Sequence, residues 1–265
     1  MKWTSDAEAA IKNVPFFVRK KERSRIENET AAAGKKMVLL SDVKAAQARF
    51  MSKMSSEIKG YQIETCFGSS GCPNPANSCD DLVKKIASLL ENADLLEFLK
   101  ERGEGDLKYH HEFRVTLAEC PNACSQPQIK DVAIIGAVIS EITDEECSSC
   151  EACVEACIET CITLDGEKNI HEIDHKRCLK CGKCIHVCPT GTIASKNKGF
   201  RVQLGGKLGR HPKLAVELEG IYSENEVLQL VKDCIDYYKK HSKHGERFAE
   251  IFDPVDFNVE GKTRS

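Results

Sequence analysis

Long apolar runs are missing from this chain of 265 residues. The longest uninterrupted one, Val132 to Ile139, has eight residues including Gly136. A bilayer span needs ~20, so no integral membrane segment is expected. An excess of charge of one sign is missing too. The 38 Lys and Arg stand against 41 Asp and Glu, a formal net charge of −3. That balance gives no global argument for nucleic acid or for an anionic membrane surface. No export leader is visible: Met1-Lys2-Trp3-Thr4-Ser5-Asp6 turns polar at once, and a cytoplasmic location is the expectation. What remains is a foldable composition, 41% hydrophobic, enough for one large domain or roughly two to three small ones.

The unusual feature is cysteine, at 15 residues. Without a leader, and with gaps of two and three residues between neighbours, thiolate–metal ligation is the reading rather than disulfides. Eight of them interlock as Cys147-x2-Cys150-x2-Cys153-x3-Cys157 and Cys178-x2-Cys181-x2-Cys184-x3-Cys188-Pro189. A short Cx2Cx2C loop turns its side chains inward and its N–H groups toward the sulfides, so it wraps three corners of one [4Fe-4S] cube. Zinc sites use isolated C-x2–4-C pairs and fit this pattern poorly.

The segment resembles bacterial two-cluster ferredoxins, most closely in Cys184-Ile-His-Val-Cys188-Pro-Thr-Gly-Thr-Ile193. It departs at Ile158, where that family usually has proline, and at Cys161, where alanine is common. In such ferredoxins the fourth cysteine of each motif serves the other cube. The resemblance therefore implies one cluster on Cys147, Cys150, Cys153 and Cys188, and another on Cys157, Cys178, Cys181 and Cys184. Two cubes on one short segment make an electron wire with no organic substrate site. Cys161 is expected to be a small buried residue. Lys176, Arg177, Lys180 and Lys183 fit a solvated loop and an attractor for an acidic electron-donor protein equally well. Exposed clusters are oxygen-labile, so an anaerobic or strongly reducing cell is expected.

The rest of the chain alternates helical and strand patterns. Thr4 or Ser5 is placed to cap a helix through Ala10 and Ile11, and Ser41 one with Val43, Ala46, Phe50, Met54 and Ile58 at helical spacing. The basic stretch Arg19, Lys20, Lys21, Arg23 and Arg25 reads as a solvated helix face. Ser78 and Asp81 precede a helix with Leu82, Ile86, Leu89 and Leu90. Phe113, Val115 and Leu117 alternate as a strand running into Cys120, and Val132–Ile139 reads as a buried strand. After the cysteine-rich segment, Phe200 to Leu204 is strand-like. Ser223 and Glu226 form a capping box for a helix carrying Val227, Leu230, Val231, Cys234, Ile235 and Tyr238. Cys79 and Cys234 are read as core.

Four more cysteines form a split group, Cys66-x5-Cys72 and Cys120-x3-Cys124. Both halves contain Cys-Pro-Asn, as Cys72-Pro73-Asn74 and Cys120-Pro121-Asn122, and each proline fixes the chain direction just after a cysteine. With the loop Gly205-Gly206-Lys207-Leu208-Gly209-Arg210, these residues resemble the sirohaem/[4Fe-4S] domain of nitrite and sulfite reductases, over about residues 61–265. The inserted double-ferredoxin segment is similar to that of dissimilatory and anaerobic sulfite reductase subunits. The resemblance implies a third cube on Cys66, Cys72, Cys120 and Cys124, with Cys124 also ligating the sirohaem iron. It implies six-electron reduction of sulfite or a related oxyanion. Gly205 and Gly206 are candidates to approach the cofactor. Lys207 and Arg210 are candidates to contact a sirohaem carboxylate or a bound anion, and His211 is a candidate proton donor.

That family carries a further half-domain before the first cysteine pair, which supplies basic side chains to the substrate. Residues 1–50 instead resemble the small C-terminal domain of light-independent protochlorophyllide reductase B subunits, through Trp3-Thr4, Ala7-Glu8-Ala9 and Val14-Pro15-Phe16-Phe17-Val18-Arg19-Lys20. The expectation is an α+β protein: a helical domain at 1–58, a sulfite-reductase-like mixed α/β domain at 59–143 and 197–265, and a two-cluster insertion at 144–196. Three functions stay open: a sirohaem reductase, a non-enzymatic electron-transfer subunit with three clusters, and a tetrapyrrole-binding protein. An additional reductase subunit or a second copy of the chain is the expected partner besides the donor.

Overall fold

The computed structural model describes residues 1–68, 71–103, 107–167 and 169–257, without the side chains of 51–56. The chain divides into two compact units, Met1–Ile58 with a short segment at Tyr109, and the remainder from Lys59 onward.

The smaller unit runs β1 (Lys2–Trp3), α1 (Ser5–Lys12), α2 (Phe16–Ala32), β2 (Met37–Val38) and α3 (Leu40–Glu57). Thr4 caps α1, its hydroxyl accepting from Ala7 N at 3.4 Å. The start of α3 lies ahead of Ser41, because Asp42 Oδ2 reaches back to accept from Leu39 N at 2.9 Å and satisfies a free helix N–H. Ala7, Ile11, Ile26, Val38, Val43 and Ala46 form the core. Phe50, expected on that face, is exposed, and Met54 lies outside the described side chains. The basic stretch is more than a solvated face. Arg19 donates to the carbonyls of Lys12 at 2.8 Å and Val14 at 2.9 Å, closing the end of α1. Arg23 pairs with Glu8 and lies over the Trp3 ring, 4.3 Å from its centroid, a cation–π contact.

The larger unit begins with β3 (Tyr61–Thr65), α4 (Asp80–Glu91), α5 (Leu95–Arg102), β4 (Phe113–Ala118) and β5 (Val132–Ile142). A cysteine-rich insertion follows, with α6 (Ala152–Ala156), β6 (Ile162–Leu164), β7 (Ile170–Ile173) and α7 (Lys183–Val187). The chain ends in β8 (Ile193–Leu204), β9 (Val216–Glu217), α8 (Glu224–His241) and α9 (Phe248–Ile251). The sheet order is β3-β4-β5-β8-β9, with β3, β4 and β5 parallel and β8 and β9 antiparallel.

β5 is buried from Val132 to Val138, as expected of a strand covered on both faces. It pairs with β8 from Val132↔Leu204 to Ile142↔Ile193, and the insertion hangs from the tip of this long hairpin. Helix α8 opens with the Ser223–Glu226 capping box and buries Val227, Leu230, Val231, Cys234, Ile235 and Tyr238. At the other end of the sheet, Asp131 is buried and accepts from Arg114 N at 2.9 Å and Ala249 N at 3.3 Å. Burial pushes its carboxyl up to about 6. No helix among the described residues is long and apolar enough to cross a membrane.

Candidate metal centre

Parallel pairing sets the split cysteines. β3 and β4 run in register up to Thr65↔Leu117, so both leave the sheet at the same end, Cys66 directly and Cys120 just beyond. Cys66 N donates to Leu117 O at 3.1 Å, extending the ladder by one bond. The two loops are then tied together, because Glu119 O accepts from Ala76 N at 2.7 Å and Asn77 N at 3.2 Å. This crossing needs Gly136 beneath it: a Cβ there would lie 2.5 Å from Glu119 O and 2.7 Å from Asn77 O.

The result is a cavity of about 410 Å³ lined by Cys66, Cys72, Cys120 and Cys124. Cys157, Cys178, Cys181 and Cys184 line the same cavity, together with Cys161. The insertion reaches it through β5. Pairing of β4 with β5 stops at Ala118↔Ile135, and beyond that point Val138 N donates to Lys180 O at 2.8 Å. A loop of the insertion thus takes the edge that β4 vacates, and Gly182 sits against Val138. Cys147, Cys150, Cys153 and Cys188 line a separate, smaller cavity with Leu164 and Ile170. Cys161, Cys79 and Cys234 are buried.

The sulfurs are met by N–H and O–H donors, the surroundings that a cluster thiolate requires. Glu119 N donates to Cys66 Sγ at 3.3 Å, Lys180 N to Cys178 Sγ at 3.4 Å and Ile193 N to Cys188 Sγ at 3.4 Å. Asn122 Nδ2 donates to Cys124 Sγ at 3.0 Å. Among the described residues no group of three or more His, Cys, Asp or Glu is set to hold a single ion. A cube asks for four separate thiolates, one per iron, and the cysteine sets that line the two cavities fit that donor requirement.

Thiols must lose protons to bind iron, and the cysteines differ in how ready they are, also within the smaller cavity, where burial raises Cys153. Hydrogen bonds from Ser148 and from Ala152 N hold Cys150 below the ordinary thiol range. At Cys188 burial works upward, but Ile193 N and the Thr190 hydroxyl outweigh it and the thiol lies low. In the larger cavity burial pushes Cys184 up to about 11 and raises Cys120 and Cys178.

The glycine-rich loop is not brought to this centre. Leu204 pairs with Val132, whereas the cavity reaches β5 at Val138 and Ser140, six residues on and ~20 Å along the strand at 3.3 Å per residue. Gly205 lies against the Phe252 ring and Gly206 against the backbone of Gln128 and Lys130. Lys207 Nζ bonds Glu250 Oε1 at 2.7 Å, and Arg210 and His211 are exposed. Among the described residues lining the cavity, Lys183 is the one cation.

Sequence reasoning missed Glu119, which is 4% exposed and borders the cavity. Its Oε1 accepts from Cys79 N at 2.9 Å, and Oε2 has no partner among the described residues. Its position directly before Cys120, at the end of an apolar strand, was the available signal.

The Nitrite and sulphite reductase 4Fe-4S domain model matches residues 61–258, and the Proto-chlorophyllide reductase 57 kD subunit model matches residues 3–47. The chain is 29% identical over 190 residues to a coenzyme F420-dependent sulfite reductase of Methanocaldococcus jannaschii, covering 70% of this chain and 28% of that protein. It is 24% identical over 273 residues to the beta subunit of a dissimilatory-type sulfite reductase of Archaeoglobus fulgidus, covering 96% of this chain and 67% of the relative. The crystal structure of dissimilatory sulfite reductase I shares the fold over 86% of this chain and 61% of that one, with a TM-score of 0.50 and 16% identity. The chain thus spans less than a third of the first relative and about two thirds of the second. By the extent of the first match, the chain belongs to the nitrite and sulphite reductase 4Fe-4S domain family.

Proposed function

We propose that this chain is a redox subunit of the sulfite reductase type that passes single electrons through three [4Fe-4S] clusters to a small oxyanion, sulfite or a close relative. Cys147, Cys150, Cys153 and Cys188 would hold the outermost cube, and Cys157, Cys178, Cys181 and Cys184 the second. Cys66, Cys72, Cys120 and Cys124 would hold the third, with Cys124 shared with a sirohaem iron. When bound, these groups supply one-electron transfers and a metal on which the oxyanion is reduced. The observation that carries the reading is the single cavity walled by both the second set and the split set. Two redox centres that border one cavity would give the electron a short path between them.

The residues of the chain have definable tasks in this scheme. Glu119 N and the Asn122 amide hold charge on Cys66 and Cys124. Cys124 is the exposed member of the split four, as a thiolate shared with an outer group must be. Phe67 and Ile158 border the cavity and are 83% and 79% exposed, an apolar rim suited to a flat macrocycle and to excluding water.

One observation favours the second reading, a three-cluster electron-transfer subunit that is not itself a reductase. Reduction of an oxyanion needs cations around it, and Lys183 stands alone among the described lining residues. Lys207 and Arg210 are left out of the proposed site because they lie toward the other end of the sheet. The remaining cations would come from an additional subunit or a second copy of the chain.

Anaerobic sulfite-dependent oxidation of a reduced viologen dye separates the two. Turnover by the chain with sirohaem bound supports the reductase, whereas dye oxidation that ignores sulfite supports the carrier.

A further inference from the structure

We infer that Asn122 sets the reduction potential of the split-cysteine cluster, through a side-chain hydrogen bond to the thiolate of Cys124. The inference rests on the reading that Cys124 is a cluster ligand and adds a tuning residue to that site.

Asn122 lies midway between two members of the group. Its backbone N–H donates to Cys120, and its side-chain Nδ2 donates to Cys124 Sγ at 3.0 Å. Among the described residues, the other N–H donors to the cavity sulfurs are backbone groups, at Glu119, Cys161 and Lys180. Backbone donors are fixed by the fold and survive substitution. The Asn122 amide is the side-chain N–H that aims at the most exposed thiolate of the set. In the twin motif Asn74 also borders the cavity, whereas the bond to the Cys124 thiolate is made by Asn122. The loop is shaped for this contact, since Ala123 between the asparagine and the cysteine adopts a left-handed φ of 55°, bending Cys124 back toward the amide.

An N–H bonded to a thiolate withdraws negative charge from it. A reduced cluster carries one more electron than the oxidised one, so the bond stabilises the reduced form more and raises the potential. Asn122 is thus a positioning residue that makes the split cluster more easily reduced than it would be without the amide.

The test is a potentiometric titration of the full chain under strict anaerobiosis, read by electron paramagnetic resonance, in wild type, Asn122→Asp and Asn122→Ala. Alanine removes the donor without adding charge, while aspartate removes it and sets a negative charge beside the thiolate; both keep the backbone N–H. In both variants the ratio of reduced to oxidised split cluster at fixed potential should fall about tenfold, ~59 mV for a one-electron couple. The potentials of the two clusters in the insertion should not move. An unchanged split-cluster potential in Asn122→Ala, with its iron content intact, overturns the inference, whatever the added charge does in Asn122→Asp. A wild-type chain that lacks a third cluster overturns the underlying reading instead, so the two failures are distinguishable.

Discussion

The interlocked eight cysteines and the split four are positioned by different physics. In the insertion the ligand loops are set by local turns. Ser149, Glu151 and Lys180 hold left-handed φ values of 54°, 59° and 61° beside the cysteines, and successive cysteines need only short stretches of chain between them. The split four have no such local programme. Cys66 and Cys120 are 54 positions apart and meet because two parallel strands end together. Turn-set cysteines are written in spacing, whereas sheet-set cysteines are written in register.

The largest effect should come from breaking the register. Gly136→Val drives a side chain into two backbone carbonyls that cannot yield. It should cost about 3 kcal/mol and remove about four irons while the insertion keeps about eight, as seen by iron analysis and thermal melting.

A comparable effect is expected from pH at the other end of the same sheet. The Asp131 carboxyl lies at about 6 in the folded chain, above its ordinary 3.8. The folded state therefore binds the proton more tightly than the unfolded state. Stability from this group is fully present below about pH 4 and is lost as pH rises through about 6, up to about 3 kcal/mol. Asp131→Asn should lower baseline stability, because its Nδ2 cannot accept one of the two N–H groups, and should flatten that pH dependence in denaturant melts.

The turn-set side should respond more weakly. Gly182 holds a φ of 74° against Val138, so Gly182→Ala should cost about 1–2 kcal/mol and broaden the spectrum of the second cluster while the split cluster persists. Smallest of all, Lys180→Gly relieves a left-handed side chain and should stabilise by about 1 kcal/mol. Loss of stability there would contradict the turn-set account.

This contrast explains what could be read ahead of the fold. The strand into Cys120, the buried strand at Val132 and the Ser223–Glu226 helix follow from period and capping, and the structure has each of them. Register was not legible. The loop at Gly205 looked like cofactor chemistry, but β8 runs antiparallel and carries the chain back to the start of β5. Its glycines answer to Phe252 and the Gln128–Lys130 backbone instead. Arg19 and Arg23 read as solvated charge because nothing in a linear sequence brings Lys12 O, Glu8 or Trp3 to them. The meeting of the split four with Cys157, Cys178, Cys181 and Cys184 depends on β4 leaving β5 at Ala118, a tertiary event that no spacing records.

The central claim is that both kinds of cysteine set hold clusters and that the split set is the terminus. The most direct test is iron and sulfide analysis with an absorption spectrum on anaerobically purified chain. The account predicts about twelve irons in cubes and one more in a tetrapyrrole whose bands shift in Cys124→Ser. About eight irons with no tetrapyrrole band would contradict it.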